Sequence, residues 1–308
     1  MRMGVLDIGS NTGHLLIVDA YRGGPPLPAA SFKEPLRLAE HLDADQAVTP
    51  HGIDRLVKYV LQAKAEAEDR GCSTVVAFAT SAVRDAVNAD AVLEAVREAS
   101  GLEVAVLPGA DEATLTFLAV RRWFGWSSGR LGVFDIGGGS LEIAVGADEH
   151  PDVAQSVPLG AGRLTREWLV PDRSRLDELR RHVRSTLAAD AGSLLRGGAF
   201  DHAVATSKTF RSLARMCGAA PSSEGQYVRR SLRRKDLTPL IAELRVLSDD
   251  EIARMPGVSS DRAHQMVAGG IVAEAAMDLF DVDELEICPW ALREGVLLQQ
   301  LDALSIDR

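Results

Sequence analysis

Cysteine is scarce in this chain. The three among 308 residues, Cys72, Cys217 and Cys288, lie far apart and form no Cys-x-x-Cys pair. That pattern excludes a disulfide framework and a cysteine-rich metal site. It suggests buried thiols in a reducing compartment, so the cytoplasm is the expected location. No apolar run reaches the length of a membrane span, and no membrane partner is expected. The start, Met1-Arg2-Met3-Gly4, enters a strand-like run at once, without the organisation of a signal peptide. Positive charge is also in deficit, with a net charge of −10. That argues against a nucleic-acid partner and leaves any polyanion site to be local. The one dense basic run is Arg229-Arg230-Ser231-Leu232-Arg233-Arg234-Lys235, which as a charge run alone reads as a solvated loop or helix start. What remains is globular composition, 46% hydrophobic and 25% charged, in a chain long enough for two domains.

A repeat organises that chain. Val5-Leu6-Asp7-Ile8-Gly9-Ser10-Asn11-Thr12 returns, altered, as Val133-Phe134-Asp135-Ile136-Gly137-Gly138-Gly139-Ser140, and a further apolar run follows each copy. Strand signals fall at Gly4–Ile8, Leu15–Ala20, Thr74–Ala79 and Val104–Leu107, with a third hairpin strand at Ser31–Leu38 and a turn at Gly23-Gly24-Pro25-Pro26. Thr49-Pro50 opens a helix that Gly71 closes, and its apolar spacing runs through Ile53, Leu56, Val57, Val60 and Leu61. Helices are also expected near Asp90–Ser100 and from Asp111, the latter carrying Leu115, Leu118, Ala119 and Arg122 and ending before Gly125. Trp126-Ser127-Ser128-Gly129 reads as a boundary, giving domains at 1–125 and 126–308. In the second half, strands are expected around Asp135, at Val153–Pro158, His202–Thr206 and Glu284–Ile287. Helices are expected at Gly162–Trp168, Leu176–Leu195, Ser207–Gly218, Leu237–Leu247, Asp261–Phe280 and Trp290–Leu304. The small residues of the Asp261–Phe280 stretch point to close helix packing. Alternating strands and helices define an α/β layered protein.

Chemistry gathers in four places. Gly9 permits a turn whose successive N–H groups make an anion nest, with Ser10, Asn11 and Thr12 as added donors and Asp7 able to hold a cation or water. Gly137, Gly138, Gly139 and Ser140 offer a second nest flanked by Asp135 and Glu142, a pair of carboxylates suited to magnesium beside phosphate. A single such loop reads as a plain hairpin turn; two copies favour phosphate binding. Thr80 and Ser81 end a strand where α/β folds place ligands. Arg84 is either a bidentate phosphate clamp or an ion-pair partner of Asp85 or a neighbouring helix. Asp111 and Glu112 stand in a helix's first turn, which the macrodipole alone explains.

These motifs together resemble the Ppx/GppA family of exopolyphosphatases and guanosine pentaphosphate phosphohydrolases, within the actin-like ATPase and sugar-kinase superfamily. The ordered set is Leu6–Thr12 followed by His14, Ala79–Ala86, Gly109-Ala110-Asp111-Glu112-Ala113, Phe134–Glu142, Val157–Thr165, Ala205–Arg211 and Ala291–Gly295. It covers nearly the whole chain. The resemblance implies an α/β fold of two ribonuclease-H-like domains with an active-site cleft between them, and a C-terminal helix packing back across the junction. It implies Glu112 as the base that activates water, and Asp135 and Glu142, with Asp7, around a divalent cation such as Mg²⁺, with K⁺ as a second candidate. Gly9–Thr12, Ser81, Arg84 and Gly137–Ser140 become phosphate contacts. Lys208, Arg211, Arg229, Arg230 and Arg233 become a path for a polyanion. The expected substrate is inorganic polyphosphate, with pppGpp or a non-catalytic nucleotide-binding role as alternatives, in a homodimer. Four departures stand out. Asp111 replaces the first Glu of the family's Glu-Glu-Ala motif. Gly13 replaces a bulkier residue, predicting a looser first loop. Leu141 replaces a common Thr. Ala205-Thr206-Ser207-Lys208 lacks the glycines of the superfamily's adenosine motif, which disfavours a nucleotide.

Overall fold

The computed structural model describes residues 1–21, 27–170, 172–196 and 198–306. The expected turn at Gly23–Pro26 lies outside them. By its own contacts the chain divides into two units, Met1–Leu115 with Leu292–Arg308, and Thr116–Ala291. The division falls before the expected Gly125–Trp126 boundary, and the last helix belongs to the first unit.

In the first unit, β1 (Arg2–Ile8), β2 (Thr12–Asp19) and β3 (Pro28–Pro35) form an antiparallel meander. α1 (Pro50–Asp69) leads to β4 (Thr74–Ala79), which returns parallel to β1. α2 (Ser81–Arg84) and α3 (Ala89–Ser100) precede β5 (Val104–Val106), and α4 (Gly109–Phe124) begins in this unit and continues into the next. The sheet order is β3-β2-β1-β4-β5. Thr49 caps α1 through its side chain, which accepts from the Gly52 N–H, and Pro50 stands at the first helical position.

The second unit repeats this plan. β6 (Leu131–Ile136), β7 (Leu141–Gly146) and β8 (Val153–Val157) form the meander. α5 (Ala161–Leu164) runs into a π-helical turn at Thr165–Leu169, and α6 (Leu176–Leu195) leads to β9 (His202–Ala205), parallel to β6. α7 (Ser207–Met216), β10 (Ser231–Arg233), α8 (Arg234–Leu244), α9 (Asp249–Ala253), α10 (Met266–Leu279) and β11 (Glu284–Ile287) complete it. The order β10-β11-β9-β6-β7-β8 is the first sheet's order plus one edge strand. That edge, β10, lies within the basic run, where a loop or helix start was expected. Charged side chains are what an edge strand tolerates, so the run's composition concealed it. The expected helix at Asp261–Phe280 begins instead as a 3₁₀ turn at Ser260–Gln265. Its small residues do pack closely: a Cβ on Gly269 would stand 2.6 Å from Thr209 Cγ2.

Period-two alternation distributes the first unit's core. Leu6 and Ile8 of β1 join Leu56, Tyr59 and Val60 of α1 on one face. Met3 and Val5 face the other way, toward Leu115 and toward Val296 and Leu297 of α11 (Leu292–Ile306). Asp7 shares the parity of Met3 and Val5, and therefore points to the side that α11 covers. Along α4, Leu115, Leu118 and Ala119 are buried, and so is Arg121. Only 1% exposed, Arg121 donates to the carbonyls of Gly125, Gly129, Gly146 and Asp148 and to Ser128 Oγ. Its delocalised charge is satisfied by backbone dipoles, fixing the 125–129 turn against β7.

Gly13 does not loosen the first loop. The Tyr59 ring, stacked on Phe32 at 5.7 Å, occupies the space where a Gly13 side chain would project. Gly13→Ala should therefore cost about 1–3 kcal/mol, the usual range for overpacking. In a Tyr59→Leu background the same substitution should cost clearly less, measured by denaturant unfolding of the four-protein cycle.

Candidate active site

Both glycine loops close in the same way. Gly9 N–H donates to the Thr12 carbonyl at 3.2 Å, and Gly137 N–H to the Ser140 carbonyl at 2.9 Å. A Cβ at either glycine would stand 3.1 or 3.3 Å from that carbonyl, a tight approach that favours glycine. Each loop is then braced from outside. In the first unit the Ser10 and Asn11 carbonyls accept from Ala39 and Arg37 N–H; in the second the Gly137 and Gly138 carbonyls accept from Ala161 and Arg163 N–H. In a planar trans peptide the N–H points opposite to the C=O. The amides of Asn11 and Thr12, and of Gly138 and Gly139, are thus turned away from their braces. The two loops thus share the glycine closure, but the brace acts one position earlier in the second and runs in the opposite order.

Neighbouring elements complete each loop. Ser10 and Ser81 hydroxyls meet at 2.9 Å, tying the first loop to the end of β4. Arg84, which closes α2, makes a short ion pair with Glu112 and a second bond to Asp85 at 3.0 Å. The structure therefore places Arg84 and Glu112 together, with Glu112 buried in the first turn of α4.

The two units differ in one transverse row of side chains. In the first, register places Phe78, Asp7, His14 and Lys33 side by side across β4, β1, β2 and β3. In the second, Asp135, Glu142 and Ser156 align across β6, β7 and β8. Ala205 lies opposite Phe134, so the next residue, Thr206, comes beside Asp135. Relative to the aspartate, β9 is thus shifted by two residues from the position of β4. An even shift preserves the face, and puts a threonine where the first unit has Phe78. Thr80 and Thr206 themselves share φ/ψ, at −116°/−155° and −117°/−155°.

The electrostatics differ accordingly. Asp7 Oδ2 accepts from Arg293 Nη1 at 2.9 Å, in a row that also carries His14 and Lys33. Asp135 stands opposite a buried Glu142, a like-charge pair on adjacent strands. Thr206 Oγ1 donates to Asp135 Oδ2, and Ser156 Oγ to Glu142 Oε1 at 2.8 Å. Two hard carboxylates flanked by hydroxyls fit a divalent cation that draws its other ligands from water and phosphate. Among the described residues no cluster of three or more His, Cys, Asp or Glu side chains forms a protein-only cage.

The basic residues are not used alike. Arg230 is engaged by the carbonyls of Ala220, Pro221, Gly225 and Val228, so it is a structural clamp and leaves the expected polyanion path. Arg229 pairs with Glu286 and Arg233 with Asp236. Arg211 Nε donates to the Ser207 carbonyl, and Lys208 Nζ to that of Gly257. Lys208 keeps surface in solvent, yet desolvation, then the charges of Arg211 and Arg262, hold its ammonium below the usual lysine range. Ser207 itself adopts φ +68°, the left-handed bend a glycine would supply. Sequence reasoning quoted but did not nominate Arg293 and Thr206, and it passed over Ser156. The recurrence of Ala-Thr-Ser at 79–81 and 205–207 was the available signal for Thr206.

Opposite effects should follow at equivalent positions. In metal-free protein, Asp135→Asn should raise the unfolding midpoint by relieving repulsion from Glu142. Asp7→Asn should lower stability by about 1–3 kcal/mol through loss of the Arg293 pair. Thermal unfolding in EDTA distinguishes the two.

Comparison with known proteins agrees with this construction. The model of the Ppx/GppA phosphatase family matches residues 17–304. Exopolyphosphatase 1 of Mycobacterium bovis is 53% identical over 98% of this chain and 89% of its own length. The guanosine-5′-triphosphate,3′-diphosphate pyrophosphatase of Vibrio atlanticus is 27% identical over 96% of this chain, but only 59% of its own length is covered. An exopolyphosphatase structure from Cytophaga hutchinsonii superposes with a TM-score of 0.87 at 24% identity, covering 98% of both chains, and shares the fold. The repeated units are thus the two-domain actin-like ATPase fold, and the chain belongs to the Ppx/GppA phosphatase family.

Proposed function

We propose that the protein is an exopolyphosphatase, which hydrolyses the terminal phosphoanhydride of inorganic polyphosphate and releases orthophosphate. The observation that carries hydrolysis is the buried Glu112–Arg84 pair at the head of α4, outside either glycine loop. The loops alone would serve a kinase, an ATPase or a phosphatase. The preference for polyphosphate over pppGpp rests on the 53% identity to an exopolyphosphatase against 27% to the pyrophosphatase, and on the missing glycines at Ala205–Lys208.

In this reading the amides of Asn11, Thr12, Gly138 and Gly139 bind non-bridging oxygens, with Ser10, Ser81 and Ser140 as added donors. Arg84 exchanges Glu112 for a phosphate oxygen as substrate arrives, since a guanidinium binds either anion bidentately. Glu112, released, orients a water toward the terminal phosphorus and accepts its proton. Asp135 and Glu142 would hold Mg²⁺, which would supply neutralisation of the charge on the transferring group. Asp7, already paired with Arg293, is assigned to ordering the first loop rather than to the cation. Lys208 and Arg211 serve more distal phosphates.

Orthophosphate release from short polyphosphate, long polyphosphate and pppGpp, measured in parallel with Mg²⁺ and with EDTA, tests the reading. Release from polyphosphate only with Mg²⁺ is expected. Release from the nucleotide alone would overturn the substrate, and release in EDTA would remove the cation. Glu112→Gln should lower kcat by about 10²–10⁴-fold, the usual worth of a general base, while polyphosphate binding persists.

A further inference from the structure

Four strands of the second unit present one uninterrupted row: hydroxyl, carboxylate, carboxylate, hydroxyl. Thr206 follows β9, Asp135 lies on β6, Glu142 on β7 and Ser156 on β8. We propose that Thr206 and Ser156 are positioning residues that fix which oxygens of Asp135 and Glu142 face the cation. The inference rests on the cation assignment above and adds two residues to it.

Each hydroxyl takes one oxygen. Thr206 Oγ1 donates to Asp135 Oδ2, and Ser156 Oγ to Glu142 Oε1. The consequence is visible at Glu142, whose other oxygen, Oε2, is turned toward the glycine loop, 3.9 Å from where a Gly137 Cβ would lie. A carboxylate free to rotate about its last bond presents either oxygen; one held by a hydroxyl presents a defined one. Thr206 is wholly buried, so its donor has a fixed direction. The arrangement belongs to the second unit alone. In the first unit the same row reads Phe78, Asp7, His14, Lys33, and the two-residue difference in register removes the threonine from the aspartate. Hydroxyls also suit the task electrostatically. They hold two like-charged carboxylates in place without neutralising them, as an arginine would, and so keep the pair attractive to a divalent cation.

Direct titration with Mn²⁺, followed by electron paramagnetic resonance of the free ion, tests this on the substrate-free protein. Thr206→Val and Ser156→Ala should each weaken Mn²⁺ binding about tenfold or more, the usual effect of removing an outer partner of a metal ligand. Thr206→Ser, which restores the hydroxyl, should bind as the parent does. The Mg²⁺ concentration for half-maximal phosphate release should rise in step, with kcat recovering at saturating Mg²⁺. Unfolding midpoints in EDTA show whether each variant is folded, and the half-buried Ser156 keeps the test open where Thr206→Val is not. Unchanged Mn²⁺ affinity in Ser156→Ala and folded Thr206→Val would overturn the proposal while leaving the cation site standing. Failure of Thr206→Ser to restore affinity would reduce Thr206 to a packing role and overturn it as well. Absence of Mn²⁺ binding to the parent protein would instead overturn the cation assignment itself.

Discussion

Two carboxylates on adjacent antiparallel strands set the terms for the second unit. Asp135 and Glu142 stand directly opposite each other, and Glu142 is 6% exposed. In water such a pair would separate; strand register forbids it. Like charges held in this way cost stability, a demand that a bound cation would answer. The first unit, built on the same strand order, makes no such demand, because His14, Lys33 and Arg293 surround its single aspartate. One topology thus carries an acidic pair in one copy and an aspartate paired with Arg293 in the other. The difference lies in side chains and in a two-residue change of strand register.

The closure of the glycine loops is a part of the repeat that both units keep, while the position of the brace has shifted by one residue. Each takes one close approach between a glycine and a carbonyl three residues on. Each has its carbonyls drawn to one side by a separate segment, Arg37–Ala39 or Ala161–Arg163. The anion nest is therefore a product of the brace as much as of the glycines. A glycine-rich string without a brace would leave its amides undirected. The loops by themselves do not select a reaction; under the proposed hydrolysis that choice would fall to Glu112 at the head of α4.

Much of this was legible in the sequence, for identifiable reasons. Strands with strong apolar runs, such as Thr74–Ala79 and Glu284–Ile287, and the long α6 at Leu176–Leu195 have the expected bounds, because one buried face dominates their pattern. The Asp-Ile-Gly repeat pointed to the two loops, and the family motifs to Glu112 and Arg84. What escaped depended on tertiary register. Asp135 and Thr206 are brought together by parallel pairing across the sheet, and no local pattern announces which residue of β9 arrives beside β6. Arg293 reaches Asp7 from the far end of the chain. Arg121 and Arg122 are neighbours with the same chemistry, and only the position of the 125–129 carbonyls selects Arg121 for burial. The strand β10 hid in a charge run because an edge strand has no need of apolar alternation.

The departures from the family pattern show where backbone geometry outranks side-chain identity. Ser207 stands where a glycine would be at ease, yet it keeps φ at +68°, a conformation that costs an L-residue about 1–2 kcal/mol. Packing holds it there: Thr206 before it is wholly buried and bonded to Asp135, and Thr209 and Phe210 after it are buried in the core of the unit. The bend persists because the residues on either side are fixed by stronger contacts. Gly13 shows the converse. A side chain has been removed beside the first loop, and the volume has been taken by Tyr59 from α1. In both places the path of the chain around the phosphate loops is retained while the residue that would ordinarily secure it is absent. A missing glycine signature at Ala205–Lys208 is therefore evidence about what side chains the pocket offers, not about whether the loop is formed. Of the side chains there, Thr206 is turned inward to Asp135 and Lys208 reaches the Gly257 carbonyl, so the bend is secured by contacts within the unit and not by glycine.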